Sequence, residues 1–338
     1  MHTCAGFVRN KYFKTLLHMK KILLLPFFLW IAWITLPPAM LAQGNLTPPA
    51  PPAPTMKSLG QIEPRTPIGA LPYTISNSGS YYLTTNLTGT AGIQIQANNV
   101  NLDLEGFTLT GNGSGYGIDI LTETNIVVCN GNLVQWYIGL YAAGAYSCRF
   151  EHLIFSQDAE GISAGVLAIA SECMASGNSQ DGMDFEGGSR IINCSARNNG
   201  GYGINAGTEA KITGCVADYN GQDGIFLDRG MVKDCLAEGN TNNGINCFIN
   251  CLADNNKCLN NKLAGVASEV GGNRFDGNDV TGNGFGIQAG NTTGNLIIRN
   301  TAAQNGTNYN VEAGNTEGPV VTSGGIGSVV NPYANLSY

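Results

Sequence analysis

From Gly92 onward the chain alternates short apolar stretches with polar ones in a fixed phase, marked by a glycine followed by Ile, Leu, Met or Val. These glycines stand at 92, 117, 139, 161, 182, 203, 224, 244, 265 and 286, in steps of 20 to 25 residues. Chance Gly-aliphatic pairs would not hold phase over so long a stretch, so the chain is read as a solenoid of stacked supersecondary units. Alignment on the glycines exposes further columns. Nine residues before the glycine come Cys173, Cys194, Cys215, Cys235 and Asn256, followed in nearly the same phase by Asn278 and Asn300. Seven before it come Ala175, Ala196, Ala217, Ala237 and Cys258, and four before it Asn178, Asn199, Asn220, Asn240 and Asn261, then Asn283 and Asn305.

A coil of roughly 21 residues is too short for helix-pair repeats of 30 residues or more. The Leu-x-x-Leu-x-Leu pattern of leucine-rich repeats is absent. The fold class predicted is all-β: a single-stranded right-handed parallel β-helix of about ten coils with terminal caps, neighbouring coils about 4.8 Å apart. Small and aliphatic columns then fill a narrow interior. The Asn column is assigned to tight turns, where Asn tolerates the left-handed conformation and its amides stack, and the glycine to the next bend.

Residues Ile22 to Leu36 form an apolar run preceded by Lys20 and Lys21 and followed by small residues ending at Ala42. This has the three parts of a secretory signal, with Met19 as an alternative start. Met40 fits the cleavage site poorly, which leaves an uncleaved anchor as the alternative; Pro26 and the short run weaken it. Five prolines between Pro48 and Pro54 form an extended spacer. The organisation expected is a signal over 1–42, a Pro-rich linker over 43–58, an N-terminal cap over 59–98, the β-helix over 99–315 and a C-terminal cap or tail over 316–338. A secreted, cell-surface or periplasmic monomer follows, with no integral membrane domain once the signal is cleaved.

Loss of the signal removes five basic residues and no acidic one, leaving 24 acidic against 12 basic. With no basic stripe along the chain, nucleic acid is excluded as a partner. The ten cysteines, in an exported protein, raise the question of disulfides. Cysteines stacked in register point the same way, and Asn replaces them higher in the column. The Cys column is therefore read as reduced core residues. A local bridge among Cys247, Cys251 and Cys258 is the alternative. A single-file thiol ladder cannot surround a metal tetrahedrally.

The segments Glu63-Pro64-Arg65-Thr66-Pro67-Ile68, Pro72-Tyr73-Thr74-Ile75, Gly79-Ser80-Tyr81-Tyr82-Leu83 and Asn99 to Leu109, with the closing Asn331-Pro332-Tyr333-Ala334-Asn335, resemble the pectin-lyase-like superfamily, in particular its secreted bacterial right-handed parallel β-helix repeat proteins. The resemblance covers about residues 62 to 338 and implies the fold more than a reaction; the enzymes of that superfamily work on acidic polysaccharides in a groove on the outer face of one sheet, which is where their residue sets are to be sought. The motifs of that superfamily's polygalacturonases (Asn-Thr-Asp, Asp-Asp, Gly-His-Gly, Arg-x-Lys) are missing. After signal removal His152 is the sole histidine, which excludes any site needing two.

Strand alternation sends the residue after each glycine inward and those two and four beyond it outward. Asp184 and Glu186, Asn205 and Gly207, then Phe226 and Asp228 therefore face out, joined by Asp181, Tyr202 and Asp223 just before the glycines. Asp181 and Asp223, two coils or about 9.6 Å apart, approach the spacing of an inverting glycosidase pair. Catalytic candidates are thus Asp181, Asp184, Glu186, Asp223 and Asp228; binding candidates are Tyr202, Asn205 and Phe226. A solvated acidic face that keeps the solenoid soluble is the plain alternative. No cofactor is required, Ca²⁺ being the one ion the face would take. Arg190, Lys211, Arg229 and Lys233 are the nearest basic candidates for a lyase. Gly161-Ile162-Ser163-Ala164-Gly165 matches a nucleophile motif but is read as an ordinary repeat bend, without the strand-turn-helix context. Gly271 to Asp276 falls one glycine short of a calcium nonapeptide. Trp136, Tyr137 and Tyr141 form either a sugar platform or packed core. The leading reading is an exported binding or structural module that contacts polysaccharide; the competing one is a polysaccharide hydrolase or lyase on the acidic face.

Overall fold

A computed structural model describes residues 63–338, apart from Asn291 and Val329. The signal, the linker and Cys4 lie outside the described residues.

Each coil contributes to three parallel sheets. In one coil these strands are Ile204–Ala206 in the first sheet, Lys211–Thr213 in the second and Val216–Asp218 in the third. The first two are parts of one bulged strand, Ile204–Thr213. Twelve first-sheet strands stack in register from Tyr73–Ile75 to Thr307–Val311 among the described residues. Ten of them contain or directly follow a repeat glycine. At that position the first and last have Pro72 and Asn308 instead, so a count by glycine misses both ends. Parallel pairing already begins at Thr66 opposite Tyr81, inside the segment read as a cap.

Because successive Cβ atoms alternate, first-sheet strands such as Met183-Asp184-Phe185 point two side chains in and one out, whereas Arg190-Ile191-Ile192 and Ser195-Ala196-Arg197, in the other two sheets, bury only the central one. The lower coils are filled with large groups, Trp136, Phe150, Phe155 and Phe185 among them, whereas the third sheet above carries Ala175, Ala196, Ala217 and Ala237. The narrower column leaves room for stacked amides at the corners.

Three Asn ladders run up those corners. In the longest, the Nδ2 groups of Asn178, Asn199, Asn220, Asn240, Asn261 and Asn283 each donate to Oδ1 of the next rung at 2.9 to 3.0 Å. Asn199 Nδ2 also donates to the Ala175 carbonyl at 3.2 Å, so each amide satisfies backbone groups that a buried corner would otherwise strand. The second ladder continues the Cys column through Asn256, Asn278, Asn300 and Asn335. The third, Asn273, Asn295 and Asn315 above Cys251, lies outside the columns aligned from sequence.

Two turn assignments need correction. The left-handed residue is the one before the ladder Asn, as at Asn198, Tyr219 and Asn260 with φ of 54° to 56°, the closing rung Asn335 excepted. That bend throws the next side chain inward. Nor does the repeated glycine serve a bend. A Cβ at Gly203 would lie 2.5 Å from the Gly224 carbonyl and 2.6 Å from Asn220 Nδ2, and the other repeat glycines are equally crowded. The position demands closeness to the next coil, which only glycine permits.

All nine described cysteines are free thiols, including Cys247, Cys251 and Cys258. In the column, Cys194 N–H donates to Cys215 Sγ and Cys215 N–H to Cys235 Sγ, both at 3.4 Å. The thiol thus takes the acceptor half of the Asn role.

Candidate functional site

The outer face of the first sheet is built from two columns, the residue before each repeat glycine and the residue two beyond it. Up the first column run Tyr116, Ile138, Glu160, Asp181, Tyr202, Asp223 and Asn243; up the second, Gln94, Asp119, Tyr141, Ser163, Asp184, Asn205, Phe226 and Asn246. Register therefore sets on one face groups as far apart in sequence as Gln94 and Asn246.

Asp181 and Asp223 lie in one column two coils apart with Tyr202 between them; the carbonyls of all three accept from the glycines one coil below. Each carboxylate also braces the coil above. Asp181 Oδ1 accepts the Tyr202 N–H at 2.7 Å. Asp223 Oδ1 accepts the Asn243 N–H and side chain at 2.8 and 2.9 Å, and its Oδ2 accepts Asn246 Nδ2 at 2.9 Å. Asp184 Oδ1 accepts Asn205 Nδ2 at 2.9 Å. The Tyr202 and Phe226 rings meet at 5.7 Å with a 45° tilt. Glu186 is exposed and Asp228 half-buried.

Glu160, one coil below Asp181, was not singled out from sequence, yet it holds the most perturbed carboxyl on this face. Burial pushes its pKa up to about 7, reinforced by the negative charges of Asp184 and Asp181. Asp184 is raised to about 6, first by burial, then by Asp181 and Glu186. Burial also raises Asp181 and Asp223. Glu160, Asp181 and Asp184 thus form one electrostatic cluster. Asp223 belongs with a separate group, because Asn246 Nδ2 bridges it to Glu269 Oε1 at 2.7 Å. Glu160 and Asn243 precede repeat glycines, Asn246 follows two beyond and Glu269 four beyond, so extending the same column rule would have found them.

No ion pair among the described residues involves these carboxylates. Arg190, Lys211 and Lys233 belong to the second sheet, where Arg190 pairs with Lys211 and Lys233 donates to Asp254 at 2.6 Å. Arg229 sits opposite Thr208 at the bulge. Among the described residues no group of three or more His, Cys, Asp and Glu is placed to hold a metal.

At the lower end of the face Tyr116 and Tyr141 stack at 4.7 Å and 13°. Tyr116 and Asp119 border a cleft of about 260 Å³ closed by Pro72, Tyr73 and Gln94. Trp136 takes no part in it. Its ring is buried and Nε1 donates to the Leu109 carbonyl at 3.0 Å, which makes it core. Ser163 lies within the strand Glu160–Ala164, an ordinary repeat position.

Comparison with known proteins extends what the geometry shows. Residues 162–303 match the family model for a right handed beta helix region. A search of curated proteins finds no match. Seventeen chains of solved structures match. They include the A-module of the mannuronan C-5 epimerase AlgE4 of Azotobacter vinelandii, at 15% identity and TM-score 0.49 over 77% of this chain and 86% of that one. The Agl-KA catalytic domain aligns at 12% identity and TM-score 0.50 over 80% and 58%, and the Dettilon tailspike protein at 14% and 0.49 over 81% and 60%. At these identities the likeness concerns the fold alone. No helix among the described residues is long and apolar enough to cross a membrane. With parallel register throughout and residues 162–303 matched to that model, the chain folds as a right-handed parallel β-helix.

Proposed function

We propose that this protein is an exported β-helix module that contacts polysaccharide through the outer face of the first sheet, between the Tyr116–Tyr141 stack and the Tyr202–Phe226 pair. The observation that carries this reading is the alternation of aromatic rings with half-buried carboxylates and amides along a single register-aligned face. Rings supply apolar contact for the faces of sugar rings, and acceptors between them meet hydroxyl donors. Tyr202, Asn205 and Phe226 are the contact residues proposed. Asp181 and Asp223 brace adjacent coils and hold that surface in shape.

A second reading, a polysaccharide hydrolase, is favoured by one specific observation. Burial and the charges of Asp184 and Asp181 push the Glu160 carboxyl up to about 7, so it keeps a proton near neutrality as a general acid requires. The candidates for that chemistry are Glu160 with Asp181 and Asp184, on which Glu186 also acts, whereas Asp223 is held by Asn243 and Asn246. A lyase is less well supported, since no Lys or Arg among the described residues pairs with the cluster.

The test is binding and turnover of residues 43–338 against a polysaccharide panel, with and without Ca²⁺. Saturable binding without product supports the module, and new reducing ends the hydrolase. Failure of Tyr202→Ala to weaken binding would remove the proposed face from either.

A further inference from the structure

The longest Asn ladder begins on a residue of the wrong chemistry. Asp158, 2% exposed, occupies the rung below Asn178. Its backbone N–H donates to Asn178 Oδ1 at 3.0 Å and its own Oδ1 accepts the Trp136 N–H at 2.7 Å, which are the bonds every higher rung makes. The other oxygen, Oδ2, is buried with no partner. Its place is fixed by the glycine it covers. A Cβ at Gly139 would lie 2.8 Å from Asp158 Oδ2, just as one at Gly161, Gly182 or Gly203 would lie 2.6 to 3.0 Å from the Nδ2 of Asn178, Asn199 or Asn220. Oδ2 therefore stands where the other rungs carry an NH₂ group that donates to the next Oδ1.

A carboxylate there would turn an acceptor toward an acceptor, with the charge buried. A carboxylic acid would not. We propose that Asp158 is folded into the ladder as a neutral acid, its O–H donating to Asn178 Oδ1 in place of an amide, and that this rung is a proton-dependent joint between the aromatic-filled lower coils and the Asn-laddered upper ones. The groups facing the carboxyl are the Trp136 backbone, Gly139 and the Asn178 amide; no charged side chain bonds to it among the described residues. Glu160, two residues on, is the nearest titratable group along the chain and belongs to the outer face. Burial pushes the Asp158 pKa up to about 8, in line with the geometry.

The direction of the pH effect follows. The folded chain keeps a proton that the unfolded chain releases above about pH 4, so stability falls as pH rises from about 4 to about 8 and levels off beyond. Asp158→Asn supplies the missing donor without a proton and should abolish this fall.

The experiment is equilibrium unfolding of wild type, Asp158→Asn and Glu160→Gln between pH 4 and 9. Infrared difference spectra of wild type against Asp158→Asn accompany it, to read the C=O band of a neutral acid. At pH 8 the unfolding constant of Asp158→Asn is expected to be at least about tenfold below that of wild type, with the difference shrinking toward pH 4. Glu160→Gln, which removes the other raised carboxyl of that turn, should leave the Asp158 share of the slope in place. Asn220→Asp, an acid installed in a rung with Asn on both sides, should acquire a fall of the same sign. An unchanged pH slope in Asp158→Asn, no neutral-acid band in the wild-type minus Asp158→Asn difference at pH 6, or no new slope in Asn220→Asp would each overturn the proposal.

Discussion

Asn335 Oδ1 accepts both the backbone N–H and the Nδ2 of Asn300, at 2.9 and 3.2 Å across 35 residues. The strand Asn335–Ser337 lies between Thr301–Ala303 and Val320–Thr322. It therefore supplies the top rung of the second ladder and covers an edge that would otherwise be open.

Removal of that rung orphans two buried donors at once. Asn335→Ala should cost about 1–3 kcal/mol, read from denaturant midpoints at unchanged m-value. A chain cut to residues 99–315 loses lower coils and upper strands together and should associate end to end. Sedimentation that finds it monomeric would count against the covering role.

The repeat glycines and the turn glycines answer to different constraints. Gly203→Ala drives a Cβ into the Gly224 carbonyl and the Asn220 amide, a backbone collision that cannot be relieved by a rotamer. A loss at or above the upper end of about 1–3 kcal/mol is expected. Gly106, with φ of 79° and nothing within 4 Å of a built Cβ, should lose only about 1–2 kcal/mol as Ala, from backbone strain. Thermal unfolding of the two variants in parallel decides whether closeness or conformation selects the glycine.

Cys235 accepts the Cys215 N–H and gives its own N–H to Asn256 Oδ1 at 3.0 Å. Cys235→Asn would extend the amide ladder downward by one rung. The expected result is a stability within about 1 kcal/mol of wild type, or a gain of that size. The same column should keep its thiols shielded. Cys129 is the only described cysteine that is not buried, and burial, followed by the negative charge of Asp103, pushes its pKa up to about 11, so little thiolate exists at pH 7. Slow labelling of the native protein and rapid labelling after unfolding are expected; fast native labelling would show that the coils open.

Periodicity revealed the solenoid because stacking repeats the same steric demand every coil, so Gly, Ala and Asn recur where the interior is tightest. It revealed the outward row of Asp181, Asp184, Tyr202, Asn205 and Phe226 for the same reason. What it could not convey was the use of each group. Asp181 and Asp223 look alike by column, yet one joins the Glu160 cluster and the other is held by Asn243 and Asn246. Such partners depend on cross-coil distances, which a period does not encode. The third ladder stayed hidden because below Asn273 and Cys251 its column passes through Gly230, Ala210 and Ser189, with no residue type to mark it.

Glu160 offers the most direct separation of structure from chemistry on the outer face. Its pKa is raised to about 7 by burial and by Asp184 and Asp181, so the folded state favours its neutral form. Its contribution to stability is complete below the ordinary glutamate range and is lost as pH climbs toward 7. Glu160→Gln keeps the shape and discards the charge. The variant should therefore be more stable than wild type at pH 8 and indistinguishable from it near pH 4, measured as thermal midpoints. Neutral in the variant at every pH, the side chain should still allow polysaccharide binding, and affinity above pH 7 should equal or exceed that of wild type. If wild type also releases reducing ends, turnover by Glu160→Gln should disappear while binding persists, because an amide cannot donate the proton a leaving oxygen needs. A variant that binds and turns over as wild type does would strip Glu160 of any chemical role and leave it a buried acid that the coil tolerates.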